Sequence, residues 1–190
     1  VYIWIKIDTM NYKEYRKSDL SCRHQIIRLL WGGVNSMCIS WLPHGIGHGW
    51  IRFWLRLFGA KIDKTARVYA GVKIYYPANL VVEKYASIAS GVNCYNVDKI
   101  IVKAYATISQ RTTLCTASHD IADLSRPLIT APITVGKYAW VASEAFVSMG
   151  TKIGDYAVVG ARSLVLKDVD SWTVVVGHPA KFLKKRILKE

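Results

Sequence analysis

The sequence predicts an all-β chain wound into a triangular parallel β-helix, with helices ahead of the first coil. Three observations predict it. From Val135 onward an aliphatic residue recurs at every sixth position: Val135, Val141, Val147, Ile153, Val159 and Val165. Short side chains follow at the fourth place after each, as Ala139, Ala145, Thr151, Ala157 and Ser163. Neither an amphipathic helix, with its i, i+3, i+4 spacing, nor a half-buried strand, with its alternation, has a period of six. A chain that runs straight for a few residues, turns and repeats does have it. The aliphatic side chain points inward, the small one lets the corner close, and each side pairs with the coils above and below.

In chain order, residues 1–58 form the cap. "VYIWIKIDTMNYKEY" lacks a charged start followed by an apolar run and a small-residue cleavage site, so no signal peptide is expected. "HQIIRLLWGGVNSMCISWL" and "GWIRFWLRLFGA" are predicted as two short helices flanking the turn "LPHGIGHG". The uncharged stretch between Arg28 and Arg52 is broken by those glycines and the proline, which argues against a membrane span. Two roles stay open for these helices: closing the bare end of the β-helix, or peripheral attachment to an anionic membrane. His44 and His48 stand four apart, but the glycines around them point to a loop rather than a metal site.

Residues 59–177 carry the coils. The beat runs Ile62, Val68, Ile74, then Val82, Ile88, Cys94, Ile100, then Val102, Ile108, Leu114, slipping by two residues at Leu80 to Val82 and at Ile100 to Val102. Thr116 to Thr134 leaves the beat as an excursion, rich in proline and polar residues, that holds a single histidine, His119. Residues 178–190 form a basic tail or short helix.

Composition narrows the function. At 190 residues and 52% hydrophobic, the chain can bury one substantial core. A net charge of +13 attracts nucleic acid, anionic membrane or phosphorylated ligands, and no nucleic-acid motif accompanies it. Cys22, Cys38, Cys94 and Cys115 form no C-x-x-C pair, which suits a reduced, cytosolic protein. His24, His44 and His48 precede the repeats and His178 follows them, so a three-histidine zinc site is hard to assemble around His119 and no metal is expected.

"VGKYAWVASEAFVSMGTKIGDYAVVGARSLVLKDV" and "GHPAKFLKK" resemble the hexapeptide-repeat acyltransferases, whose β-helix is left-handed and ends in a short C-terminal helix. More narrowly, "WLRLFGAKI", "SQRTTLCTASHD" and "PLITAPITVGKYAWVASEAFV" resemble the sugar O-acetyltransferases of exopolysaccharide clusters, the colanic-acid type. The likeness spans about Trp50 to Arg186. It implies acetyl-CoA as co-substrate, a sugar acceptor, and a homotrimer with each site built between two subunits. It makes His119 the general base for the acceptor hydroxyl, a task suited to imidazole.

Coil counting places Lys99 beneath His119, which brings Asp98 and Asn96 forward as candidate partners. Cys115 is set aside, since a small cysteine among repeats reads as packing and the family transfers acetyl directly. Positions matching the family's donor groove are Trp140, Ser143, Ala161, Lys167, Lys181 and Lys184, the lysines suiting phosphates. Arg162 stands where simpler relatives carry glycine, implying a narrower or more cationic groove. Asp120 and Arg126 are candidate acceptor contacts in the excursion. Glu83 and Lys103 occupy places the family gives to Gly, Ala or Asn, so local irregularity is expected there.

Overall fold

The computed structural model describes residues 21–43 and 46–189. The notion of a leaderless N-terminus and the reading of His44 fall outside them. The described chain is a parallel β-solenoid of about six coils behind a helical cap.

Each coil has three faces. The first face stacks Lys61–Ile62, Leu80–Val82, Ile100–Val102, Ile133–Val135 and Lys152–Ile153, and Val169 bridges to Ile153 above them. The second stacks Arg67–Val68, Ser87–Ile88, Thr107–Ile108, Trp140–Val141, Val158–Val159 and Thr173–Val176. The third stacks Lys73–Ile74, Asn93–Tyr95, Thr113–Cys115, Phe146–Val147 and Leu164–Val165. Every aliphatic residue of the six-residue beat is buried, as are Ala139, Ala145, Thr151, Ala157 and Ser163 at the corners. Each inward aliphatic contributes about 1.5–3 kcal/mol. Cys94 is one of this column, and burial pushes its thiol up to about 12.

The register slips have a simple origin. Leu80–Val82 and Ile100–Val102 each bury both outer residues, so one strand supplies two inward side chains where the shorter strands supply one. Ile133–Val135 does the same and pairs in register with Ile100–Val102. Glu83 and Lys103 cause no irregularity. Their corners close through the same hydrogen bonds as the glycine corner at Gly136: Ala86 N–H to Glu83, Ala106 to Lys103, and Ala139 to Gly136. Glu83 turns its carboxylate up to accept the Ala104 N–H at 2.9 Å, so its length bridges two coils without disturbing either.

Two corner columns hold residues in the left-handed backbone region, which disfavours side chains bearing a Cβ. At the corner between first and second faces these are Tyr85, Tyr105, Tyr138, Tyr156 and Trp172, with φ between 56° and 62°. Their rings stack along the prism edge at centroid spacings of 5.0, 4.6, 4.9 and 4.1 Å. Stacking offsets the backbone strain, at about 0.5–1.5 kcal/mol per pair. At the corner between second and third faces the column is Gly71, Gly91, Arg111, Glu144 and Arg162. Glu144 accepts from Arg111 below and Arg162 above. These bonds, Arg111 first, hold its carboxyl below the usual glutamate range.

The cap explains its own composition. Some main-chain groups of each coil bond to the coil above, as the N–H of Asp63 to Val82 and of Tyr69 to Ile88, and others to the coil below, as Tyr105 to Lys84, so the downward-facing carbonyls of the first coil have no coil beneath. Helix α1 (Cys22–Val34, running on through a wider turn at Asn35–Ile39) and helix α2 (His48–Leu57) fill that need. Arg56 donates to the Ile62 carbonyl, Arg52 to Ala66, His48 Nδ1 to Val68, and Trp31 Nε1 to Ile74, all within 3.0 Å. Ile51, Leu55 and Trp31 bury themselves on the same end. Both predicted helices are present where expected.

The chain does not end in a helix as anticipated. Lys181–Lys185 is a strand, antiparallel to Thr173–Val176. The last strand of the second face would otherwise present a row of unpaired main-chain groups, and returning the chain along it satisfies them. A helix could not.

Candidate active site

The excursion is a hairpin. Ala117–His119 pairs antiparallel with Leu128–Thr130, rising from the corner between the third face and the next first face. Buried Thr116 roots it: its hydroxyl donates to the Tyr95 carbonyl and accepts the Asp98 N–H, both at 2.9 Å. At the tip Asp123 accepts the N–H and hydroxyl of Ser125, which hold its carboxyl below the usual aspartate range.

His119 ends the first hairpin strand, exposed, with Nδ1 2.7 Å from the Arg126 carbonyl. A carbonyl oxygen only accepts, so Nδ1 carries the proton and the neutral ring keeps its lone pair at Nε2. The hairpin therefore sets both the tautomer and the ring direction, which is what a general base requires.

The partners named from sequence are placed differently. Asn96 is fully buried one coil below. Its Oδ1 accepts the N–H groups of Tyr75 and Tyr76 at 3.0 and 3.1 Å, and its Nδ2 donates to the Tyr76 carbonyl at 2.6 Å. That amide is committed to closing the corner beneath it, so Asn96 is no partner of His119 in this chain. Asp98 is half-buried, with Oδ1 accepting the Lys99 N–H at 2.6 Å. The task of holding the imidazole falls to the Arg126 carbonyl instead, because the hairpin folds that carbonyl over the ring. Asp120 accepts the Ala122 N–H in the loop at 2.9 Å, and exposed Arg126 contributes its main chain to His119. Cys115 donates its S–H to the Ala117 carbonyl at 3.2 Å.

The donor candidates divide between two places. Ser143 and Ala161 occupy equivalent positions on successive coils at the corner between second and third faces; Trp140 lies on the adjoining second face, about half exposed. Trp140 Nε1 donates to Ser109 at 2.9 Å, and the Ser143 hydroxyl donates to Gln110 Oε1 at 3.3 Å. Ser109 and Gln110 are thus part of this surface, though the sequence reading passed over them. Their signal was present, since they hold the corner places of Ala142 and Ser143 one coil earlier, hidden by the intervening excursion. Arg162, on the same edge, is tied to Glu144.

Lys167 and Lys181 line a cleft of about 440 Å³ at the far end, with Asp168, Asp170, Leu166 and Phe182. Exposed Lys184 lies farther along the same terminal strand, opposite Val174. Within one chain, His119 and the Ser143–Ala161 edge stand on different corners of the prism. Among the described residues no three metal-binding side chains cluster, and no helix is long and apolar enough to cross a membrane.

Comparison with known proteins agrees with this architecture. No family model matches the chain. It is 40% identical over 161 residues to a protein of Escherichia coli (strain K12) named as a colanic acid biosynthesis acetyltransferase, WcaF, covering 85% of this chain and 88% of that one. The fold superposes with a TM-score of 0.78 on a hexapeptide-repeat acetyltransferase of Vibrio cholerae solved with acetyl coenzyme A, at 23% identity over 88% of this chain and 91% of that one. It superposes equally on a maltose O-acetyltransferase of Clostridium difficile, at 23% identity over 88% and 90%. Six-residue repeats, a histidine hairpin breaking them at one corner, and likeness along most of both chains place this protein in the hexapeptide-repeat acetyltransferase family.

Proposed function

We propose that the protein transfers the acetyl group of acetyl-CoA to a sugar hydroxyl during surface-polysaccharide synthesis, with His119 as general base. The carrying observation is the Nδ1 contact with the Arg126 carbonyl, which leaves the lone pair of this exposed ring at Nε2. Nε2 takes the proton of the acceptor hydroxyl as its oxygen bonds to the thioester carbonyl carbon. The tetrahedral centre then collapses, the C–S bond breaks, and the leaving thiolate takes that proton from the imidazolium. The second oxygen of Asp98, on the coil beneath, is assigned to the acceptor.

The donor binds along the Trp140, Ser143 and Ala161 edge, with Lys167, Lys181 and Lys184 available to its phosphates. The cleft that Lys167 and Lys181 line is largely apolar and also carries Asp168, which accepts the Lys152 N–H, and Asp170, so it is the two lysines that supply attraction for a phosphate there. Because His119 and that edge occupy different corners of one prism, a complete site takes one from each of two copies, which supports a homotrimer.

The test is release of thiol from acetyl-CoA across a panel of sugars, with the product read by NMR. An O-acetyl ester on a sugar supports the reading. An amide on an amino sugar favours the related N-acyl transfer, and no turnover with any sugar removes it.

A further inference from the structure

We propose that the helical cap is a docking face for an anionic lipid surface. Helix α2 carries two apolar stripes. One, Ile51 and Leu55, is buried against the first coil. The other, Trp50, Phe53 and Leu57, recurs at helical spacing on the opposite side, and Ile46 stands just ahead of the helix, each residue roughly half exposed or more. The α1 segment repeats the pattern, with Trp31 and Ile39 inward and Leu29, Leu30, Met37 and Trp41 outward, 58–79% exposed. A soluble helix normally turns a polar face to water. These do not.

The two bare stripes form one surface. Trp50 Nε1 donates to the Cys38 carbonyl at 2.9 Å, tying α2 to the end of α1, and Trp50 stacks on Phe53 at 5.8 Å. Trp41 Nε1 is likewise satisfied, by the Met37 carbonyl at 2.8 Å. With their polar atoms already bonded, these exposed indoles present carbon outward, as suits the boundary between headgroups and acyl chains. Scattered exposed aliphatics are ordinary, but paired stripes on adjoining helices mark a contact surface.

Charge selects the occupant. From Ser21 to Ile62 there is no acidic residue, and the whole chain carries +13; Arg52 and Arg56 reach back to carbonyls of the first coil and Arg28 lies over Tyr75, while Arg23 and Lys61 are exposed. An anionic bilayer attracts that arrangement, whereas a second cap of the same sign repels it. The cap thus closes the solenoid with one face and meets lipid with the other. This inference stands without the acetyl-transfer reading.

Flotation of the full chain with vesicles of phosphatidylcholine, alone or with roughly 30% phosphatidylglycerol, tests it. Binding is expected to the anionic vesicles at low salt, weakened by added salt. Leu29→Glu/Met37→Glu/Leu57→Glu is expected to lower partitioning about tenfold or more, while leaving light-scattering mass and turnover of a soluble acceptor unchanged. Should the triple variant fold poorly, Leu29→Ser and Met37→Ser are each expected to weaken binding several-fold. Three results overturn the proposal: wild type that ignores anionic vesicles, substituted protein that binds as well as wild type, or a change in assembly mass showing that the face lies between copies.

Discussion

Replacing Asn96 by alanine separates a structural amide from a catalytic one. Its side chain is fully buried and serves two N–H donors and one carbonyl at the Tyr75–Tyr76 corner. Alanine leaves those three groups without partners in a site closed to bulk water. At about 1–3 kcal/mol for each stranded group, less what relaxation recovers, the loss comes to about 3–5 kcal/mol. For a chain of this size that corresponds to a fall of about 6–20 °C in Tm. Thermal denaturation reads the loss, and turnover measured well below the new transition is expected to stay within about threefold of wild type. Unchanged stability combined with a hundredfold loss of kcat would refute the reasoning and return Asn96 to the chemistry.

Other consequences follow from the same geometry. Tyr138→Ala removes two stacking contacts at 4.6 and 4.9 Å, for a loss of about 1–3 kcal/mol; Tyr138→Gly should keep more stability than alanine, because φ is 56° there. Arg56→Leu strips the Ile62 carbonyl of its donors and should cost about 1–3 kcal/mol, seen as earlier exchange of amides in the first coil. Glu144 titrates lower folded than unfolded, so its stabilisation is complete above the ordinary value of 4.5 and is lost as pH falls through the lowered one; Glu144→Gln should flatten the acid limb of a stability–pH curve. Lys167→Ala/Lys181→Ala is expected to raise KM for acetyl-CoA about tenfold or more with kcat little changed, as loss of uniform phosphate binding predicts.

Legibility in the sequence followed from how local each constraint is. An inward aliphatic at every sixth place answers to the coil alone, so Val135 through Val165 declare the solenoid without help from the rest of the chain. The slips at Leu80 and Ile100 were visible as arithmetic, but that a longer strand carries both inward residues shows only once neighbouring coils pair. "KFLKK" has no strong period. Its strand form is imposed by the bare edge of Thr173–Val176, a partner fixed by the fold. His119 stood out by isolation and by its setting, whereas its Arg126 partner depends on how the hairpin closes. Asn96 was read as a neighbour of His119 by counting residues. Counting gives height along the prism, and the inward or outward sense of a corner side chain decides the role. The tyrosines at four of the five first-corner αL sites, Tyr85, Tyr105, Tyr138 and Tyr156, were in plain view, yet their meaning needed stacked rings.

Catalysis by His119 is tested most directly by pairing single-turnover acetyl transfer with calorimetric acetyl-CoA binding for wild type and His119→Ala. The account predicts a loss of about 10²–10⁴ in the transfer rate, with donor affinity and assembly mass unchanged. A variant that transfers acetyl at near the wild-type rate would contradict it.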